Sequence, residues 1–121
     1  MDRMKHFYTR RLGFKLERDF IADRKTMKEI FNINSPCRMQ YLFLGDFKVE
    51  LFRFLDVRIK KRDNRTAGLD HWTILVKDKV KFCNSLKKKN IQVIRITKPY
   101  GFTFFIKDPE SNLIEVKSYN D

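Results

Sequence analysis

The stretch Phe105-Ile106-Lys107-Asp108-Pro109-Glu110-Ser111-Asn112-Leu113-Ile114-Glu115 decides how this chain is read. Asp108 to Asn112 is a strong turn signal. Proline pre-sets the φ of a turn, and Asp, Ser and Asn side chains bond nearby backbone groups. The flanks, Phe102 to Lys107 and Leu113 to Tyr119, read as strands. Towards the N-terminus, Pro99-Tyr100-Gly101 predicts a further turn and Ile91 to Thr97 a further strand. Asp78 to Lys89 predicts a helix with Val80, Phe82 or Cys83, and Leu86 facing the core. Asn90 can take the left-handed cap position that glycine often fills. His71 to Val76 is the strand before that helix. This half therefore reads strand, helix, then three strands.

The first half shows the same order with one element fewer. Residues 2–11 predict a helix from the spacing of Met4, Phe7, Tyr8 and Arg11, closed by Gly13. Residues 14–21 alternate in part and predict a strand. Asp23 to Ile33 predicts a second helix, with Asp23 as N-cap and Met27, Ile30 and Phe31 as its apolar stripe. Asn34-Ser35-Pro36 breaks it. Residues 38–44 and 47–54 predict a hairpin around Gly45-Asp46. Asp56 to Gly68 is polar with no apolar period and reads as a linker. With Phe7-Tyr8 laid on Phe82-Cys83, the halves form an internal repeat whose first copy lacks the opening strand. The expected division is a first module over 1–55, a linker over 56–68 and a second module over 69–121, forming one structural domain overall.

At 121 residues the length is that of one domain. Its 42% hydrophobic content is near the globular average and excludes wholesale disorder. No apolar run is long enough to cross a bilayer, and Met1 to His6 holds no signal-peptide core, so a cytoplasmic protein is expected. Cys37 and Cys83 make neither a CxxC pair nor a disulfide framework, which predicts free thiols. Lys and Arg number 27 against 15 Asp and Glu, a net charge of +12. The cations are scattered among acids, with no aromatic RNA-binding motif and no Cys/His finger, which argues against nucleic acid as a partner. An anionic small substrate accounts equally well for a positive field.

Four segments, in order, resemble the vicinal oxygen chelate superfamily of glyoxalases, methylmalonyl-CoA epimerases, extradiol dioxygenases and bleomycin-resistance proteins. Phe7-Tyr8-Thr9-Arg10-Arg11-Leu12-Gly13-Phe14 is similar to that family's FYxxxLGF. Leu44-Gly45-Asp46 leads into Val49-Glu50-Leu51-Phe52, and Gly68-Leu69-Asp70-His71 opens the strand ending Val76-Lys77-Asp78. Phe105 to Glu115 is similar to F.kDPdGN.iEl. The pattern is nearest to glyoxalase I (lactoylglutathione lyase)-like proteins. The resemblance implies an α+β fold of two paired βαβββ modules, a curved mixed sheet around a cleft, with the first module lacking its opening strand. It also implies metal ligands at Glu50, His71 and Glu115, with a fourth, commonly His, on a strand upstream of Met1. A homodimer is implied as well.

The residues can be read beside that resemblance. Glu50 shares a strand face with Phe52 and Phe54, where a carboxylate needs a partner or a metal. His71 shares its face with Thr73 and Leu75. Glu115 alternates with Ile114 and Val116 and so points away from the helix-packed side, with Leu113 and Lys117. Imidazole and carboxylate donors suit Zn²⁺, Ni²⁺, Mn²⁺, Fe²⁺ or Co²⁺, if a metal is present at all. By resemblance, such a metal would polarise a substrate carbonyl and stabilise an enediolate, with Glu50 or Glu115 moving the proton. The expected activity is that of a lyase or isomerase on a small oxygenated metabolite. A metal-free small-molecule-binding protein and an extradiol-type dioxygenase are the alternatives. Glu50 favours the lyase, since extradiol enzymes use two His and one carboxylate. Tyr41, Arg53, Tyr100 and Phe102 are the candidates for holding substrate.

Overall fold

The chain folds as two units, Met1–Lys61 and Arg62–Asp121, in a computed structural model that describes residues 1–63 and 65–121. In the first unit, α1 (Asp2–His6) runs into a π-helical turn over Phe7–Arg11. The Leu12 N–H donates to the Phe7 carbonyl at 3.2 Å, five residues back. The sequence predicts one uniform helix here. The wider turn lets Phe7, Tyr8 and Leu12 all bury. Gly13, at φ +83°, turns the chain into β1 (Lys15–Ala22).

The next helix, α2 (Arg24–Phe31), starts where Asp23 accepts from the Thr26 N–H at 2.7 Å. It ends at Asn32 in the left-handed region, before the expected Asn34-Ser35-Pro36 break. The strands β2 (Cys37–Leu44) and β3 (Phe47–Phe54) complete an antiparallel sheet in the order β1-β2-β3. Met27 is buried against Cys37 and Met39, but Ile30 is 63% exposed. Ile30 therefore lies outside the apolar stripe expected from the sequence. Contact is centred between Met27 and Phe31, whose ring meets Phe52 and Phe54 edge-on, and Ile30 sits about 100° around the helix from Phe31.

The second unit shows the strand, helix, three-strand order in full: β4 (His71–Val76), α3 (Lys79–Lys88), β5 (Val93–Lys98), β6 (Gly101–Lys107) and β7 (Leu113–Ser118). Its mixed sheet has the order β4-β7-β6-β5, with β4 parallel to β7 and the other pairs antiparallel. Asp78 caps α3 by accepting from the Lys81 N–H at 3.0 Å, and Asn90 is left-handed at φ +62°. Cys83 and Leu86 of α3 and Ile106, Ile114 and Val116 of the sheet are fully buried. Val80, expected in this core, is 43% exposed, because it lies about 120° around the helix from Leu86. Both cysteines are free and buried, and burial pushes the Cys83 thiol up to about 11. Among the described residues, no helix is long and apolar enough to cross a membrane.

Candidate functional site

The β6–β7 turn positions the central residue of the site. Asp108 Oδ1 accepts from the Glu110 and Asn112 N–H groups, both at 2.9 Å, and Oδ2 accepts from Asn112 Nδ2 at 2.8 Å. Ser111 completes the turn at φ +67°. The turn sets a register in which Phe105 stands opposite Glu115 on β6, while Thr73 stands opposite it on β4. Ile114 and Val116 take the helix-packed face, so Glu115 faces the other way by strand alternation. His71, Thr73, Leu75, Lys117, Thr103, Phe105, Ile96 and Lys98 share its face.

Five donors surround the Glu115 carboxylate. Oε1 accepts from Thr103 Oγ1 at 3.0 Å and has Lys117 Nζ at 3.6 Å and Lys98 Nζ at 3.8 Å. Oε2 accepts from Thr73 Oγ1 at 3.2 Å and has His71 Nε2 at 3.7 Å. The Glu115 side chain is only 8% exposed on a face whose other members are largely open. Burial works to raise its pKa. The Thr103 hydroxyl, the Lys117 charge, the Thr73 hydroxyl and the Lys98 charge prevail and hold it below the ordinary carboxylate value. The His71 ring packs edge-on to Phe105 with centroids 5.5 Å apart.

In the first unit, Glu50 stands opposite Tyr41, with Lys48 Nζ at 2.5 Å from Oε1. That ammonium also lies 4.6 Å above the Tyr41 ring, and Arg18 reaches both Phe20 and Tyr41, at 4.7 and 5.7 Å. Tyr41 is thus beside Glu50. Arg53 is on the opposite face of β3, across from Arg38. Tyr100 is fully exposed in the β5–β6 turn. Phe102 lies on the α3 side of its sheet, between Lys79 at 4.3 Å and Arg95 at 4.1 Å. Within the first unit the structure joins Tyr41 to Glu50 and sets Arg53 on the other face; within the second it joins His71 to Glu115 and sets Tyr100 and Phe102 apart from that pair. A surface depression of about 440 Å³, lined by Gly13, Lys15, Leu16, Glu17, Phe43, Leu44 and Gly45, holds none of these residues. Sequence reading missed Thr73, Thr103 and Lys98. The available signal was period 2: Thr73 is two residues from His71, and Thr103 is two from the strand partner of Glu115.

Among the described residues, no group of three or more His, Cys, Asp and Glu side chains stands ready to hold a metal ion. One pair of such side chains, His71 and Glu115, does come together. Two donors bound to a single first-row cation lie roughly 3–4 Å apart, and His71 Nε2 and Glu115 Oε2 meet that spacing at 3.7 Å. Both lysines sit on the other carboxylate oxygen, so Oε2 is left to the imidazole and Thr73.

The sequence matches the family model of the Glyoxalase/Bleomycin resistance protein/Dioxygenase superfamily over residues 1–116. The chain belongs to this family. It is similar in fold to the trypanothione-dependent glyoxalase I of Leishmania major, at 24% identity and TM-score 0.69, covering 99% of this chain and 79% of that one. A glyoxylase/bleomycin resistance protein/dioxygenase domain from a Frankia species has 17% identity and TM-score 0.74, over 98% of this chain and 82% of that one. TnmS3, an antibiotic-binding protein from a Streptomyces species, has 17% identity and TM-score 0.64, over 97% and 84%. The sequence matches no curated protein.

Proposed function

We propose that this protein is a glyoxalase-type enzyme, a divalent-metal-dependent lyase or isomerase acting on a small oxygenated metabolite. The observation that carries this reading is the approach of His71 Nε2 to Glu115 Oε2, 3.7 Å apart, while both lysines contact Oε1. A cation held there would supply Lewis-acid polarisation of two adjacent substrate oxygens. The remaining work falls to the chain's own groups. The Thr73 and Thr103 hydroxyls fix the orientation of Glu115, as outer hydrogen bonds do for ligating carboxylates. They also help keep it ionised, which suits a charge-holding role and makes it a weak base. Proton transfer is therefore assigned to Glu50, whose side chain is 31% exposed and has a single ion pair to release.

A second reading, a metal-free small-molecule binder, draws support from the lysines. Lys48 already pairs with Glu50, and Lys98 and Lys117 already flank Glu115. The likeness to an antibiotic-binding protein points the same way. Elemental analysis of the purified protein, followed by turnover of a methylglyoxal–thiol hemithioacetal, separates the two. Bound metal together with turnover that disappears in His71→Ala supports the enzyme. Ligand binding without metal or turnover supports the binder. The proposal includes a cytoplasmic homodimer, since exposed Ile21, Ile30 and Phe31 are apolar surface that a second copy would cover. Sedimentation as a monomer would remove that part.

A further inference from the structure

We propose that Lys98 and Lys117 form an anion-holding subsite above Glu115, and that the ligand of this site is a small organic carboxylate. The inference rests on the reading of this face as the substrate site. It goes further in naming the charge of the substrate and the groups that meet it.

The two ammonium groups approach the same oxygen, Glu115 Oε1, at 3.6 and 3.8 Å. Those distances are ion-pair contacts beyond hydrogen-bond length, and the hydrogen bond to that oxygen comes from Thr103 instead. The lysine N–H donors are thus not spent in hydrogen bonds to that oxygen. Lys98 is 51% exposed and Lys117 36%, so an incoming ligand can reach both. The charge balance also favours an anion. Lys98, Lys107 and Lys117 all lie on this face, and Glu115 is the one carboxylate among its strand residues. A second carboxylate placed between the lysines therefore meets net positive charge, whereas a neutral ligand leaves it unbalanced. Leu75, 53% exposed, and Ile96, 42% exposed, flank the lysines and offer an apolar surface for a short carbon skeleton.

Ligand-observed NMR titration with lactate and with lactamide tests this on the full chain. The two probes differ in the carboxylate alone. Lactate should bind about tenfold more tightly than lactamide, the ratio expected of one charge-assisted contact. Lys98→Met and Lys117→Met should each reduce that preference severalfold without moving lactamide, with an unchanged circular dichroism spectrum showing that the variants fold. Lys117→Arg should preserve it. Equal affinities for the two probes, binding of neither, or a preference that survives the double substitution overturns the proposal. His71→Ala separates this proposal from the metal reading. It should abolish metal binding while leaving the lactate preference intact, so a protein that binds no metal but keeps the preference loses the enzyme and retains the subsite.

Discussion

Glu50 and Glu115 hold corresponding places in the two modules and live in different surroundings. Each lies on the last strand of its unit, directly opposite an aromatic residue of the preceding strand, Tyr41 or Phe105. The Glu50 side chain is 31% exposed and has one lysine beside it, while that of Glu115 is 8% exposed among five donors. Topology accounts for the contrast. In the second unit β7 is an inner strand, and β4 beside it supplies both Thr73 and His71. In the first unit β3 closes the sheet order among the described residues, so Glu50 has strand neighbours on one side. The opposite contrast holds for the covering layer. Helix α2 packs Met27 against this face of the first sheet, whereas the second unit joins β5 to β6 by a tight turn. A repeat of strand pattern thus yields one carboxylate built for holding charge and one free to trade partners.

Several substitutions would break or sharpen that comparison. The largest effect is expected at the site: if the proposed enzyme reading holds, His71→Ala or Glu115→Gln should lower kcat/KM by at least about a thousandfold by removing a proposed metal ligand. Glu50→Gln should also lower kcat but keep most of the metal affinity, and steady-state kinetics beside a metal titration will separate the two carboxylates. Next is the covering helix. Met27→Ala should cost about 2–5 kcal/mol in denaturant unfolding, since the side chain is 1% exposed, while Ile30→Ala should change little. Removing the cap of α3 with Asp78→Ala should cost about 1 kcal/mol by the same measurement. Ser111→Gly should gain about 1 kcal/mol, because serine is held at φ +67° where glycine carries no Cβ penalty.

Acid titration adds a test with a defined sign. Asp19 is held at about 2 against an ordinary 3.8, first by its hydrogen bond to Arg38 and then by that to Gln40. Its contribution is therefore present above about pH 4 and lost as the pH falls towards 2. Asp19→Asn should flatten the stability profile in that window. Glu115, also lowered, should lose its contribution in the same direction.

Much of this was legible in the residues. The Asp108 to Asn112 turn, the caps at Asp23 and Asp78, the left-handed Gly13 and Asn90, and the outward side of Glu115 all follow from local chemistry and period 2. The π-helical turn at Phe7–Arg11 was not legible, because the 3,4 spacing of its apolar residues fits an α-helix equally well. Ile30 and Val80 lay outside the core because each of these helices buries a narrower stripe than its sequence offers. The face was readable at Arg53, which alternates away from Glu50. The donors of Glu115 were not, since Lys98, Thr73 and Thr103 come from three different strands and converge through register alone.

The most direct test of the account is a Co²⁺ titration of metal-free protein, read by the visible absorption of the bound ion. The account predicts saturation at one Co²⁺ per chain, loss of the signal in His71→Ala and Glu115→Gln, and an unchanged signal in Arg53→Ala. A native protein that takes up no Co²⁺, or a His71→Ala variant that binds it as well as the native protein does, would contradict it.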